Sequence, residues 1–239
     1  MQSRQLFALA LAALLTSPLL PALPALQAQD SRPGIAVMPF ENGGSYGQDK
    51  ENFEALEKGI AGMLISELAQ NPAARIVDRS SVQRLLDEQN LGKDGRADAA
   101  TAAKIGKLVG ARYMVMGSFV DLYGRFRVDA RIVDVETSEI LKVVRSDPKF
   151  EKREELFKLL QTVAERLMAE TKLPALTAEM SRAVRARNVP TEALTYYSRA
   201  LLYQDRGDKA KAAEFYRKAI DVFPDYAEAN EGLKKISGG

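Results

Sequence analysis

The hydrophobic period of this chain changes partway along and then changes back, and each change limits what the segment can become. Between Arg125 and Val135, Phe126, Val128, Ala130 and Ile132 alternate with Arg127, Asp129 and Arg131. A period of two belongs to a half-buried strand and cannot be satisfied by a helix. Tyr113 to Leu122 reads as the strand before it, joined through a tight turn at Tyr123-Gly124. Glu136 to Ser138 is a second turn, and Glu139 to Ser146 a third strand, which completes an antiparallel meander.

Upstream the pattern is different. Ile35-Ala36-Val37-Met38 is a short apolar run closed by Pro39, as in a buried strand. Glu41 to Glu51 is polar, holds Gly43, Gly44 and Gly47, and reads as a loop. Phe53, Leu56, Ile60, Met63, Leu64 and Leu68 recur at helical spacing up to Asn71-Pro72. Arg75 to Asp78 is a second strand, and strand–helix–strand units pair in parallel with a right-handed crossover. Ser80 with Gln83 three residues on forms a capping-box pattern for the next helix, whose apolar residues are Val82, Leu85 and Leu86. A turn over Asn90–Gly95 and a helix from Asp98 to Val109, ended by Gly110, lead into the meander. The expected fold class is therefore α/β: a mixed sheet covered by helices, with the antiparallel meander at its C-terminal part, followed by an all-α helical-repeat module.

From Lys152 the chain reads as helical. Leu156, Leu159, Leu160, Val163, Leu167 and Met168 mark one amphipathic helix, ended by Pro174, and Leu176, Met180 and Val184 a shorter one. We divide the chain into a signal peptide (1–28), an α/β domain (29–150), connecting helices (151–190) and a helical repeat (191–239).

The absences narrow the chemistry. Cys, His and Trp do not occur among the 239 residues. Thiol and imidazole catalysis, disulfides and thiolate metal sites are excluded with them, and no glycine-rich phosphate loop is present. We expect no enzyme, no catalytic residues, no cofactor and no metal. Carboxylate pairs such as Asp78 with Glu88 or Asp129 with Asp134 have nothing to single them out, and Asp78-Arg79 reads as a strand-end ion pair. The 34 basic and 32 acidic residues balance, which argues against a nucleic-acid partner. At the start, Arg4, the apolar Leu6–Leu15 run, the breakers Pro18, Pro21 and Pro24, and Ala28 before Gln29 predict an exported protein cut after Ala28. No later stretch is apolar for long enough to form a membrane-spanning helix.

Two resemblances follow from these residues. Ile35 to Asn42, Ile76-Val77-Asp78-Arg79, Leu85 to Gln89, Ala100 to Gly110, Tyr113 to Ser118 and Arg131 to Leu141 together resemble the curli-secretion channel (CsgG-like) family across residues 34–146. The resemblance implies a periplasmic location, outer-membrane association, ring-like homo-oligomers and, in some members, a secretion pore for extracellular fibre subunits. Pore-forming members look lipid-anchored through an N-terminal Cys and insert long membrane hairpins; here there is no Cys, and the turns at Tyr123-Gly124 and Glu136–Ser138 are tight.

Residues 191–236 resemble a tetratricopeptide repeat at Tyr196, Ala200, Tyr203, Gly207, Ala212, Tyr216, Ala219 and Pro224, and Pro190 and Pro224 lie 34 residues apart, the repeat period. Ala200, Gly207, Ala212, Ala219 and Pro224 are assigned to repeat packing; Tyr196, Tyr197, Tyr203 and Tyr216 are candidate partner contacts, with core packing the alternative. Arg199 departs from the pattern, since an apolar residue is usual there. A single repeat cannot bury its own faces, so it must stack on the 152–188 helices, on the 225–236 helix or on another subunit. The function read from the sequence is a non-enzymatic accessory or scaffold of the periplasm or outer membrane. It would serve envelope assembly or the secretion of fibre-type proteins, and bind envelope or secreted proteins through its repeat. The alternative is a pore-forming channel component.

Overall fold

A computed structural model describes residues 30–47, 49–89, 98–146 and 151–238. The signal peptide and the Asn90–Gly95 turn lie outside the described residues. In chain order the elements are β1 (Gly34–Val37), β2 (Glu41–Asn42), α1 (Lys50–Ala69), β3 (Arg75–Ile76), α2 (Arg79–Glu88), α3 (Ala99–Leu108), β4 (Tyr113–Leu122), β5 (Arg125–Asp134), β6 (Ile140–Arg145) and β7 (Glu151–Lys152). Helices α4 (Leu156–Met168), α5 (Ala178–Ala186), α6 (Thr191–Asp205), α7 (Lys209–Val222) and α8 (Ala227–Ser237) follow.

The seven-stranded mixed sheet runs β3-β1-β4-β5-β6, with β2 also on β4 and β7 on β5. β1 is parallel to both β3 and β4, as a right-handed strand–helix–strand unit requires. β4 and β5 pair antiparallel along their whole length, from Tyr113↔Asp134 to Leu122↔Arg125. The period of two sorts the side chains. Ile35, Val37, Val115, Phe126, Val128, Ala130 and Ile132 enter one core, which α1, α4 and the C-terminal helices complete. Ala36, Met38, Met114, Met116, Val133 and Val135 enter the other, under α2 and α3.

Local expectations differ from the structure at three points. The Glu41–Glu51 loop contributes β2, whose Glu41 and Asn42 pair with Ser118 and Phe119. Lys152 ends a short strand rather than starting a helix, and Arg153–Glu155 make a 3-10 turn before α4. α2 is capped by Asp78, not Ser80: the Asp78 carboxylate accepts from the Ser80 N–H at 2.7 Å, so the helix starts two residues sooner.

Candidate partner-binding module

α6 and α7 form an antiparallel pair, as the repeat spacing requires. Gly207 takes φ +77 at the turn, a conformation that costs glycine little, and Asp208 caps α7 by accepting from the Lys211 N–H at 3.0 Å. Ala200, Ala212 and Ala219 are fully buried where small side chains let the helices close. Pro224 is exposed and so is not a packing residue; it follows the last turn of α7, and its carbonyl accepts from Asn230 at 3.0 Å.

The repeat does not wait for another subunit. It packs on α1 of the sheet domain as well as on α8. The contact is close because α1 carries two glycines on the facing side. A Cβ on Gly59 would stand 1.8 Å from Ser198 Oγ, and one on Gly62 2.9 Å from Tyr197 Oη. Polar groups run the length of α1: Tyr203 Oη donates to Glu51 at 2.8 Å, Arg206 pairs with Glu54 at 2.7 Å, and Tyr226 Oη donates to Met63 Sδ at 3.0 Å. Arg199 is accounted for by this packing. Its guanidinium donates to Asn52 Oδ1 at 2.9 and 2.7 Å while lying 5.5 Å over the Phe215 ring.

Tyr197, Tyr203 and Tyr216 are therefore buried in this packing, and of the four candidate contacts Tyr196 alone keeps a partly exposed side chain. Tyr203 stacks on Phe215 at 5.4 Å, Tyr197 lies 5.1 Å from Tyr226, and Tyr216 Oη donates to Gln204 at 2.6 Å. Burial pushes the phenols of Tyr197, Tyr216 and Tyr226 upward, so all three stay neutral. A groove for a partner needs exposed faces, and those of Tyr197, Tyr203 and Tyr216 are covered by neighbouring helices.

Two ion-pair sets lock the junction. Arg79 makes a bidentate pair with Asp205 at 2.8 and 2.7 Å, linking α2 to α6; this replaces the expected Asp78-Arg79 pair. Asp78 instead caps α2 and meets Lys235 at 3.3 Å. Arg187 bridges Glu67 at 2.8 Å and Glu228 at 2.6 Å, joining the segment after α5 to α1 and α8. Burial raises the Glu67 carboxyl above its ordinary value, partly offset by the Arg187 charge and the Gln161 amide. Of the other carboxylates weighed from sequence, Asp129 pairs with Arg127 at 3.0 Å and Asp134 with Arg112 at 2.7 Å.

Sequence reasoning missed Gly59, Gly62, Glu67, Arg187 and Tyr226, and gave Arg79 the wrong partner. The signal for the first two was present, since two glycines three apart inside a helical run weaken the helix unless something must approach closely. Among the described residues, no helix is long and apolar enough to cross a membrane.

Comparison with known proteins follows the same order along the chain. Residues 22–125 match the family model of the curli production assembly/transport component CsgG, and residues 193–226 match that of the tetratricopeptide repeat. The search of curated proteins returned no match. Among solved structures, LpoB of E. coli is 19% identical with a TM-score of 0.38, covering 48% of this chain and 56% of its own. TolB of Acinetobacter baumannii is 18% identical with a TM-score of 0.39, covering 61% and 30%. Lipoprotein GNA1162 of Neisseria meningitidis is 14% identical with a TM-score of 0.34, covering 58% and 98%. The chain thus spans little more than half of the LpoB chain, and likenesses this remote do not bear on function. What the family models place on this chain is a CsgG-like region followed by a tetratricopeptide repeat, in the order its residues suggested.

Proposed function

We propose that this protein is an exported, non-enzymatic accessory or scaffold of the cell envelope, periplasmic or associated with the outer membrane. It would bind envelope or secreted proteins during envelope assembly or the secretion of fibre-type proteins. The observation that carries this reading is the position of α1, packed against the sheet and α4 as well as against α6 of the repeat. A repeat fixed in this way presents a rigid outer surface, and rigidity lowers the entropy lost on binding. With Tyr197, Tyr203 and Tyr216 buried, partner contact falls to Tyr196 and the outward sides of α7 and α8. The pore reading is less well supported, because the apolar residues of β4 and β5 are buried in the two cores of the domain instead of offering an apolar face to lipid.

The test is cross-linked pull-down from envelope fractions with wild type and Ala212→Leu. Ala212 is fully buried between the helices, and overpacking there costs about 1–3 kcal/mol. Wild type should capture partners and the variant should lose them. Equal capture by a variant whose circular dichroism confirms a disturbed repeat would remove the repeat as the binding element. Discrete single-channel steps from the purified protein in lipid bilayers would favour the pore instead.

A further inference from the structure

The sheet is left open at β6. This strand ends the strand path, and among the described residues no strand pairs with its outer side. Ile140, Leu141 and Val143 are 44%, 38% and 44% exposed, half of the six large hydrophobic side chains exposed among the described residues. An open apolar edge is a template for pairing with another chain, and proteins commonly blunt one with a proline or an outward charge. β6 has no proline, and Glu170 draws its Lys142 to the α4 side of the sheet at 2.9 Å.

Backbone alternation places the outward groups. The Asp134 N–H donates to the Glu139 carbonyl, and the Ser146 N–H to the Val128 carbonyl, at the two ends of the β5–β6 ladder. Residues between them alternate in direction, as in any antiparallel pair. Lys142 and Val144 bond towards β5, and Val143 turns its N–H and carbonyl outward. The Arg145 carbonyl already accepts from Arg166 at 3.3 Å, which centres an added strand on Val143. The charge beside this edge has one sign. Val143 is the partner of Arg131 and Arg145 that of Asp129, all on the sheet face away from α4. Asp129 is taken by Arg127 at 3.0 Å. Arg131 and Arg145 are exposed, and among the described residues no acid lies within ion-pair distance of either.

We propose that β6 is a docking edge for an extended, acidic segment of another protein, which adds to the sheet as a further strand. The segment's backbone pairs with the Val143 N–H and carbonyl. Its apolar side chains lie against Leu141 and Val143, and its carboxylates meet Arg145 and, over Val143, Arg131. A second copy of this chain is the poorer occupant. β6 against β6 would bring Arg131 and Arg145 of both copies to one seam, where like charges repel. A strand pair of this length also buries far less than the roughly 1,000 Å2 of a stable interface. The edge belongs to the sheet and not to the repeat, so the inference is independent of what the repeat binds.

The test is fluorescence anisotropy of a labelled peptide of about ten residues alternating valine and glutamate, titrated with the chain from Gln29 onward, which contains the whole compact unit. Binding should saturate. A valine–lysine peptide, and the valine–glutamate peptide N-methylated throughout, should each bind at least about tenfold more weakly, the first for charge and the second for lost backbone donors. Arg131→Glu with Arg145→Glu should reverse the preference towards the valine–lysine peptide. Val143→Pro removes the outward N–H, leaves the bonds of Lys142 and Val144 to β5, and should weaken the valine–glutamate peptide by about tenfold. Thermal melting checks that each variant is folded. Absence of saturable binding by wild type, equal binding of either control peptide, or full affinity in folded Val143→Pro each overturns the docking edge. An unchanged preference in the folded double-glutamate variant overturns the acidic character of the partner. Concentration-dependent dimers of wild type that Val143→Pro abolishes would give the edge to a second copy instead.

Discussion

Gly59 shows how a single missing side chain decides the assembly of this protein. In an exposed helix interior, Gly→Ala stabilises by about 1 kcal/mol. Here the added methyl would stand 1.8 Å from Ser198 Oγ and 2.6 Å from its Cβ, so the backbones must separate. Overpacking of this kind costs about 1–3 kcal/mol, so after the helix-propensity gain Gly59→Ala is expected to destabilise by up to about 2 kcal/mol net. Ser198→Gly in the same chain removes both clashing atoms and leaves the Cα at 3.2 Å, so it should recover part of the loss. Urea denaturation of the two single variants and the double variant measures the coupling, about 0.5–3 kcal/mol for residues in contact; additive losses would mean that the helices do not meet at this point. Glu67 gives the residue-scale pH prediction. It faces Arg187, Gln161 and Glu228, and burial raises its pKa above the ordinary carboxylate value in the folded state. The folded protein therefore holds this proton more tightly than the unfolded chain. The stabilising contribution is complete below the unfolded value and is lost as pH rises through the raised folded one. The difference in melting temperature between wild type and Glu67→Gln, followed from about pH 4 to about pH 8, should shift against wild type as pH rises. A flat difference would show that Glu67 titrates as it does in the unfolded chain.

Between elements, the Arg79–Asp205 pair is a bidentate polar link with both side chains largely buried, 10% and 13% exposed. Asp205→Ala would leave a guanidinium buried with nothing opposite, and breaking such a pair costs about 3–5 kcal/mol. Arg79→Met with Asp205→Leu removes both charges at similar volume and should recover most of the loss in thermal melting; if the double variant is as unstable as Asp205→Ala, the penalty lies in packing and not in the unpaired charge. The pair also marks what sequence reading could reach. Strands and helices were legible because their side chains repeat at two or at about 3.6 residues, as in Phe126-Val128-Ala130-Ile132 and Phe53-Leu56-Ile60-Met63. The repeat hairpin was legible through Ala200, Ala212 and Ala219 at fixed offsets. Arg79 and Asp205 are 126 residues apart, and no periodicity connects them. The tyrosines were ambiguous for a related reason. A ring on a helix face reads the same whether a partner or α1 covers it, and only the tertiary fold decides.

For the whole molecule, the decisive element is α1. Its buried residues include Phe53, Leu56, Gly59, Ile60, Gly62, Met63, Leu64 and Leu68, which point to more than one side, so it is a central helix and not a surface one. One side meets the sheet through β1, β2 and β3; the other meets Tyr197, Ser198, Leu201 and Tyr226. Neither the sheet domain nor the repeat can bury its apolar face without the other, and Ser31–Gly239 pack as one compact unit. Unfolding should then be a single transition. Far-ultraviolet circular dichroism, which follows all helices, and near-ultraviolet signals, dominated by the tyrosines of the repeat, should give the same urea midpoint. Ala212→Leu should lower that common midpoint and not split it, because loosening α7 weakens the α6 surface that covers α1. Removing residues 190–239 gives the sharper comparison. The shortened chain would expose Gly59, Gly62 and Met63 along α1, an apolar strip of the kind that promotes association. It should melt at a lower temperature than the full chain and bind a hydrophobic dye that the full chain excludes. Two separate urea transitions, or a shortened chain as stable and as dye-free as the full one, would mean that the repeat is an appendage and that α1 is buried sufficiently by the sheet alone.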